Sequence, residues 1–241
     1  MSKISEQIKE IELECFYRRI EITHMFSQIN LFNEEDKSKN CLEKYFLARS
    51  IVVFSYATLE KFVKTLTTSA LTAIIDNKYF LNNTKDFLCI LKSKNKPADL
   101  FNLVMFYKNN STSENNFAYA IEKGYFNGRD RIDSETIAHI SDVLSLNDKE
   151  PLLKIPKATI DSICKVRMAL AHGDYIGELK KVLNPKRVNI TIKDIDETIN
   201  DVFKLTDTTK DDLITFLNDF KNKIVALLKE IDEYSTIMNK D

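Results

Sequence analysis

Mostly apolar residues recur at helical spacing near both ends of the chain. At the N-terminus, steps of four and three alternate through Ile4, Ile8, Ile11, Cys15, Arg18, Ile22, Met25 and Ile29. Near the C-terminus, a similar spacing follows the start signal TDTTKDD, through Leu213, Leu217, Phe220, Ile224, Leu227, Ile231, Tyr234 and Met238. Such spacing puts the side chains on one helical face. We predict two long amphipathic helices, which pack either on each other or against a second copy of the protein.

Between these ends the pattern predicts a series of further helices. The stretch CLEKYFLARSIVVFSYATLEKFVKTLTTSALTAIID is apolar around most of its circumference, as a buried central helix must be. Shorter helices are predicted in TKDFLCILKSK, PADLFNLVMFY and SETIAHISDVLSL, with Asp133 or Ser134 capping the last. The Asn-, Ser- and Gly-rich segment 108–133 indicates a loop. Beyond the turn LNPKR, we expect a short extended stretch and a helix that starts near Asp194.

The composition agrees with helices throughout. With only 4 Gly and 4 Pro among 241 residues, the chain has few turn-forming residues, which favours long uninterrupted helices. No internal repeat and no low-complexity linker divides the sequence. We therefore predict an all-α fold, a multi-helix bundle with long N- and C-terminal helices, in one domain over residues 1–241.

Charge and cysteine content exclude several function classes. A formal net charge of −1 argues against an overall electrostatic attraction to nucleic acid, although it leaves room for a local basic patch. The 4 cysteines form no CxxC pair, so neither a zinc site nor a disulfide framework is indicated. No glycine-rich phosphate-binding loop is present. We expect no metal and no cofactor.

The N-terminal stretch MSKISEQIKEIELE is charged throughout, unlike a signal peptide. No apolar run approaches the ~20 residues that a membrane-spanning helix needs. We expect a cytoplasmic protein that does not bind membranes.

An arginine occupies a helical stripe that is otherwise apolar. In PKATIDSICKVRMALAH, the residues Ile160, Ile163, Cys164, Leu170 and Ala171 share one face, and Arg167 lies about 20° from the direction of Ile160. A guanidinium keeps its charge and is rarely buried alone, so it must meet a carboxylate, backbone carbonyls or a bound anion. One interpretation pairs Arg167 with a buried acid such as Glu60; the other assigns it to an anionic ligand.

His172 follows Arg167 by five residues, at the end that Gly173 gives to the helix. The two side chains lie about 140° apart around the helix and about 7.5 Å apart along it, yet both can reach a ligand at the helix end. An imidazole that titrates near neutral pH beside a permanent cation suits phosphate-ester chemistry. Acting on RNA, the histidine would move a proton while the arginine stabilises the phosphoryl charge.

The sequence RMALAHG resembles the R-x4-6-H motif of the HEPN superfamily, whose helical domains occur in prokaryotic toxins, abortive-infection proteins and defence ribonucleases. SYATLEKFVKTL is similar to an early helix of the family, and IDSETIAHISDVLSL resembles a segment that precedes the motif in stand-alone members of the RiboL-PSP and MAE types. The resemblance is strongest over residues 40–205.

This resemblance implies a homodimer in which Arg167 and His172 of both copies line one cleft and cleave RNA without a metal. It also implies a role as a toxin or defence effector, with an antitoxin or another defence protein as a possible partner. The family often has Asn or Asp directly after the arginine, where this chain has Met168. A non-catalytic helical module that binds a partner protein or RNA is therefore the alternative.

Residues outside the motif supply further candidates. Glu60 lies on a helical face with Tyr56 and Val63, where it either orients the motif residues or pairs with Lys64. Tyr175 either stacks on an RNA base or packs beneath the helix end, and Asp174 precedes it. The basic residues that follow either contact phosphates or decorate a solvated turn: Lys180, Lys181, Lys186 and Arg187.

Overall fold

The computed structural model describes residues 2–35, 41–77, 79, 131–146, 157–172 and 207–238. These residues form five helices and no strand: α1 (Lys3–Glu35), α2 (Cys41–Asp76), α3 (Ser134–Val143), α4 (Lys157–His172) and α5 (Asp207–Met238). The predicted all-α fold and its long terminal helices are confirmed. The two helices predicted between α2 and α3, the loop before residue 131, and the extended stretch and helix predicted after residue 187 lie outside the described residues.

Local sequence sets the beginning of α1. Ser2 accepts a hydrogen bond at its Oγ from the backbone N–H of Ser5, at 3.1 Å, so it occupies the N-cap position. Glu6 in the first turn complements the positive end of the helix dipole. The apolar face that follows along α1 is then stabilised by packing against other helices.

The short helix α3 has a cap at each end. Asp133 accepts a hydrogen bond at Oδ1 from the backbone N–H of Thr136, at 2.8 Å, and is therefore the N-cap between the two predicted candidates. At the other end Ser145 has a positive φ of 52°, and Leu146 donates its N–H to the carbonyl of Ser141 at 2.8 Å. That bond closes a Schellman turn, which fixes where α3 stops.

The described side chains belong to two compact units. The first comprises Met1–Cys15, Lys61–Lys154 and Asn218–Asp241, and the second comprises Phe16–Glu60 and Ile155–Leu217. Each of the long helices α1, α2 and α5 contributes residues to both units. Whether the chain behaves as one domain stays a prediction.

In the first unit, the terminal helices contact each other within one chain. The Sγ atom of Cys15 on α1 lies 3.9 Å from Oδ1 of Asn218 on α5. On α2, Phe62 is fully buried, and its ring centroid lies 6.3 Å from that of Phe220 on α5. Of the two predicted arrangements for the terminal helices, packing on each other is therefore the one that these contacts support.

In the second unit, hydrogen bonds join helices side by side. Thr58 on α2 is buried and donates its hydroxyl to Oε2 of Glu21 on α1 at 3.0 Å. Arg18 pairs with the same carboxylate oxygen at 3.0 Å, so the polar residue of the α1 seam has an acidic partner one turn away. A buried hydroxyl with an acceptor avoids a desolvation cost of about 1–3 kcal/mol. These bonds position the segment of α2 from which the candidate site is built.

Candidate active site

The helix α4 carries the predicted stripe. Ile160, Ile163, Cys164 and Leu170 are each 5% exposed or less, which confirms these four positions as a buried face. Ala171 lies outside the described side chains. Arg167, on the same face, is partly exposed. The arginine thus lies at the edge of a buried surface, where water still reaches it.

Arg167 contacts an aromatic ring. Its guanidinium carbon, Cζ, lies over the ring of Tyr56 at 5.1 Å from the ring centroid, well within the range of a cation–π interaction. Tyr56 lies on α2 and is 1% exposed. The ring attracts the positive charge but offers no carboxylate lone pair, so this contact does not use the N–H donors of the guanidinium.

Glu60 lies one helical turn beyond Tyr56 on α2. Four residues correspond to about 6 Å along the helix and to nearly the same face. Its side chain is partly buried. The predicted supporting carboxylate is therefore one turn along α2 from the ring over which Arg167 lies.

A side-chain hydrogen bond holds α4 near its beginning. Thr159 donates its hydroxyl to Oδ2 of Asp212 on α5, at 2.6 Å. This short bond to a charged acceptor is among the stronger hydrogen bonds in proteins. Arg167 lies two turns further along the same helix, so its backbone position depends on a helix that is anchored at its start.

The structure brings together Arg167 and Tyr56, and it puts Glu60 one turn away. His172 is the last residue of α4, where the helix was expected to end. The side chain of His172 lies outside the described residues, and so do the other predicted candidates, namely Asp174, Tyr175, Lys180, Lys181, Lys186 and Arg187. Their roles stay predictions.

Sequence reasoning missed Tyr56 as the residue under the arginine. The pattern had placed Tyr56 and Glu60 on one face of α2, and it assigned no role at the site to Tyr56. The available signal was a tyrosine one turn from a carboxylate on a mainly apolar face. Spacing within one helix does not show which residue of another helix lies opposite, so the partner of Arg167 was beyond the pattern.

Among the described side chains, no group of three or more His, Cys, Asp or Glu is placed to hold a metal ion. Within the same ranges, no helix combines the length and the apolar character needed to cross a membrane.

Comparison with protein families decides the relationship. The family model described as RiboL-PSP-HEPN matches residues 13–235. The chain belongs to the RiboL-PSP-HEPN family. The HEPN match includes the whole of α2, α3 and α4 and most of α1 and α5, so it extends beyond 40–205 in both directions. No curated protein and no solved structure gives a significant match to this HEPN chain.

Proposed function

We propose that the protein is a metal-independent endoribonuclease of HEPN type, acting as a toxin or defence effector. The observation that carries this proposal is the state of Arg167. The charge is permanent, the side chain is partly exposed, and an aromatic ring, which leaves the charge in place, lies beneath it. Membership of the HEPN family and His172 at the end of the same helix support the same conclusion.

The proposed chemistry is a transesterification within RNA. The 2′-hydroxyl oxygen attacks the adjacent phosphorus while a base takes its proton. The bond from phosphorus to the 5′-oxygen breaks, and that oxygen receives a proton from an acid. The products are a 2′,3′-cyclic phosphate and a 5′-hydroxyl. His172 serves as the proton-transfer group, and Arg167 stabilises the charge on the phosphoryl oxygens.

The composite site adds a second copy of the chain. Two motif helices that face each other in a homodimer would bring two Arg167 and two His172 side chains to one cleft. The partial exposure of Arg167 at the edge of the buried face of α4 supports this arrangement, because a side chain must reach the surface to line a cleft between two copies. Glu60 and Asp174 then orient the motif residues. Tyr175, Lys180, Lys181, Lys186 and Arg187 hold the RNA through base stacking and phosphate contacts.

The test is cleavage of a mixed pool of RNA by the purified protein in EDTA. We expect cleavage to persist with the chelator and to leave cyclic phosphate ends. Arg167→Ala and His172→Ala should each lower the rate by at least about a hundredfold, the lower range for losing a proton-transfer group or a charge stabiliser.

The matched control is Lys165→Ala, which removes an exposed cation two residues away on another face of α4. Its rate should stay within about twofold of the wild type, because one exposed charge contributes little. A folded dimer that leaves RNA intact would contradict the proposal, and so would cleavage that neither motif substitution changes.

A second candidate function rests on Met168. This partly buried side chain stands directly after Arg167, where the family often has a polar residue. A non-catalytic HEPN module that binds a partner protein or RNA follows if that polar group is essential for the chemistry. An antitoxin or another defence protein is then the expected partner. In that case the RNA pool stays intact while Arg167→Ala weakens binding.

A further inference from the structure

We propose that Tyr56 is a positioning residue that holds the guanidinium of Arg167 where it can bind an RNA phosphate. The inference rests on the proposed function in one respect, namely that RNA is the anion. Tyr56 touches neither the phosphate nor the reacting atoms in this scheme. It acts through Arg167, whose Cζ lies 5.1 Å from the centroid of its ring.

The chemical group beneath the guanidinium decides whether Arg167 can bind an anion. A carboxylate beneath the guanidinium would occupy two of its N–H donors and neutralise its charge, so a phosphate would have to displace that carboxylate. A neutral ring holds the cation through its quadrupole and leaves the net charge in place. A phosphate can therefore add to the Arg167–Tyr56 pair without displacing the ring. The pair is a preformed half of an anion site.

The Tyr56 ring and the two helices that form the contact are each held in position. Tyr56 is 1% exposed, so neighbouring atoms confine its ring. Two residues along α2, Thr58 is hydrogen-bonded to Glu21 of α1, and α4 is anchored through Thr159 and Asp212. An arginine side chain has several rotatable bonds, and contact with a confined ring limits the conformations that it samples. Limiting them before RNA binds reduces the entropy lost on binding.

The experiment measures binding rather than cleavage. The probe is a single-stranded RNA oligonucleotide with 2′-O-methyl groups, which has phosphates but no nucleophilic 2′-hydroxyl. Dissociation constants are compared for the wild type, Tyr56→Phe, Tyr56→Leu, Arg167→Ala and the double variant Tyr56→Leu/Arg167→Ala. Phe62→Leu is the matched control, because it removes another fully buried ring from the same helix.

We expect Tyr56→Phe to bind within about twofold of the wild type, since the ring is retained. Tyr56→Leu should bind about twofold to thirtyfold more weakly, the range that corresponds to one cation–π contact. In the Arg167→Ala background, Tyr56→Leu should cause no further loss. Phe62→Leu should leave the dissociation constant unchanged to within about twofold.

Three results would overturn the inference. The first is a loss in Tyr56→Leu that persists when Arg167 is absent. The second is a loss in Tyr56→Phe as large as that in Tyr56→Leu. The third is an equal loss in Phe62→Leu, which would mark a general effect of core disruption. Absence of RNA cleavage by the wild type contradicts the proposed nuclease but leaves this binding comparison intact, so the two failures are distinguishable.

Proton NMR of the wild-type protein tests the same contact if Tyr56→Leu does not fold. Protons of a guanidinium side chain over a ring resonate upfield of those of a solvated arginine. The Arg167 signals, identified by their absence in Arg167→Lys, should show this shift in the wild type and keep it in Tyr56→Phe. Signals at the position of solvated arginines would refute the contact.

Discussion

At the scale of single residues, Arg167 shows how a charge is tolerated on an apolar face. Its neighbours on the stripe, Ile160 and Ile163, are buried, whereas the arginine itself is partly exposed. Solvent on one side and the Tyr56 ring on the other both stabilise the guanidinium charge. An arginine that is only partly buried avoids most of the cost of desolvating its charge, and it keeps the charge that binds an anion.

Met168 gives a prediction at the same scale. Replacing it by Asn adds the polar group that the family often has at this position. Because the side chain is partly exposed, we expect the free energy of unfolding to fall by no more than about 1.5 kcal/mol. The rate of RNA cleavage should rise by about tenfold, which corresponds to ~1.4 kcal/mol of transition-state stabilisation. Single-turnover cleavage and urea unfolding of both proteins measure the two quantities.

The control for this substitution is Val166→Asn, which adds the same side chain on the other side of Arg167. Val166 is also partly exposed, so the two variants introduce the same side chain at similarly solvated positions of one helix. We expect no rise in rate for Val166→Asn. A cleavage rate that Met168→Asn leaves unchanged or lowers would show that a polar residue is not needed at this position.

At the scale of secondary-structure elements, the sequence predicted where a helix begins but not which residues bond it to another helix. Asp133 at the start of α3 is one of the two caps that local spacing offered, because a capping bond such as the one to Thr136 spans only three residues. The bond from Thr159 to Asp212 spans 53 residues and joins α4 to α5. Nothing in the spacing of either helix singles out these two residues, since each is an ordinary polar residue on its own helix.

The link between Thr159 and Asp212 gives the prediction for this scale. Thr159→Val retains the shape of the side chain and removes its hydroxyl, which leaves a carboxylate without this donor. We expect the free energy of unfolding to fall by about 1–3 kcal/mol, since one side of a charged hydrogen bond is lost. Urea unfolding followed by circular dichroism provides the measurement. RNA cleavage should also fall, because α4 carries Arg167.

The comparison residue is Asp211, next to Asp212 on α5 and exposed. Its contact with Lys210, at 3.8 Å, is a surface ion pair. Asp211→Asn should therefore change the stability by less than about 1 kcal/mol. Equal stability changes for Asp211→Asn and Thr159→Val would show that the link between α4 and α5 contributes nothing specific.

At the scale of the whole molecule, three long helices each supply residues to both compact units. A helix is a cooperative structure, so the loss of packing at one end is felt along its length. We therefore expect the two units to unfold in one transition. This is also the experimental form of the single-domain prediction for residues 1–241.

Two phenylalanines on α5 test that expectation. Phe216 belongs to the second unit and Phe220 to the first, and both are fully buried. Phe216→Ala and Phe220→Ala should each lower the free energy of unfolding by about 3–5 kcal/mol. Each variant should unfold in a single step, with the same midpoint by far-ultraviolet circular dichroism and by tyrosine fluorescence. The chain has 9 tyrosines and no tryptophan, so the fluorescence reports on tyrosine alone.

The matched positions make the outcome easy to interpret, because residue type, helix and burial are the same. If one variant shows two steps, or if the two probes give different midpoints, one unit melts while the other persists. The chain would then behave as two domains that share helices.

The sequence by itself determined the helical class, the long terminal helices, a cap at Asp133 or Ser134 and the buried face of α4. Each of these depends on interactions between residues a few positions apart, which a periodic pattern of apolar and polar residues contains. The short motif that resembles the HEPN family is local in the same sense, and the match over residues 13–235 bears out that relationship.

Only the tertiary structure decided what faces Arg167. From the sequence, a carboxylate such as Glu60, backbone carbonyls or a bound anion was expected, and these stay predictions. The contact that the structure describes is with the ring of Tyr56, 111 positions earlier in the chain. The packing of α2 beside α4 produces that contact, and it depends on the shapes of both helices at once. A periodic pattern defines the face that a helix buries. The partner on that face is chosen by packing between elements that are distant in sequence.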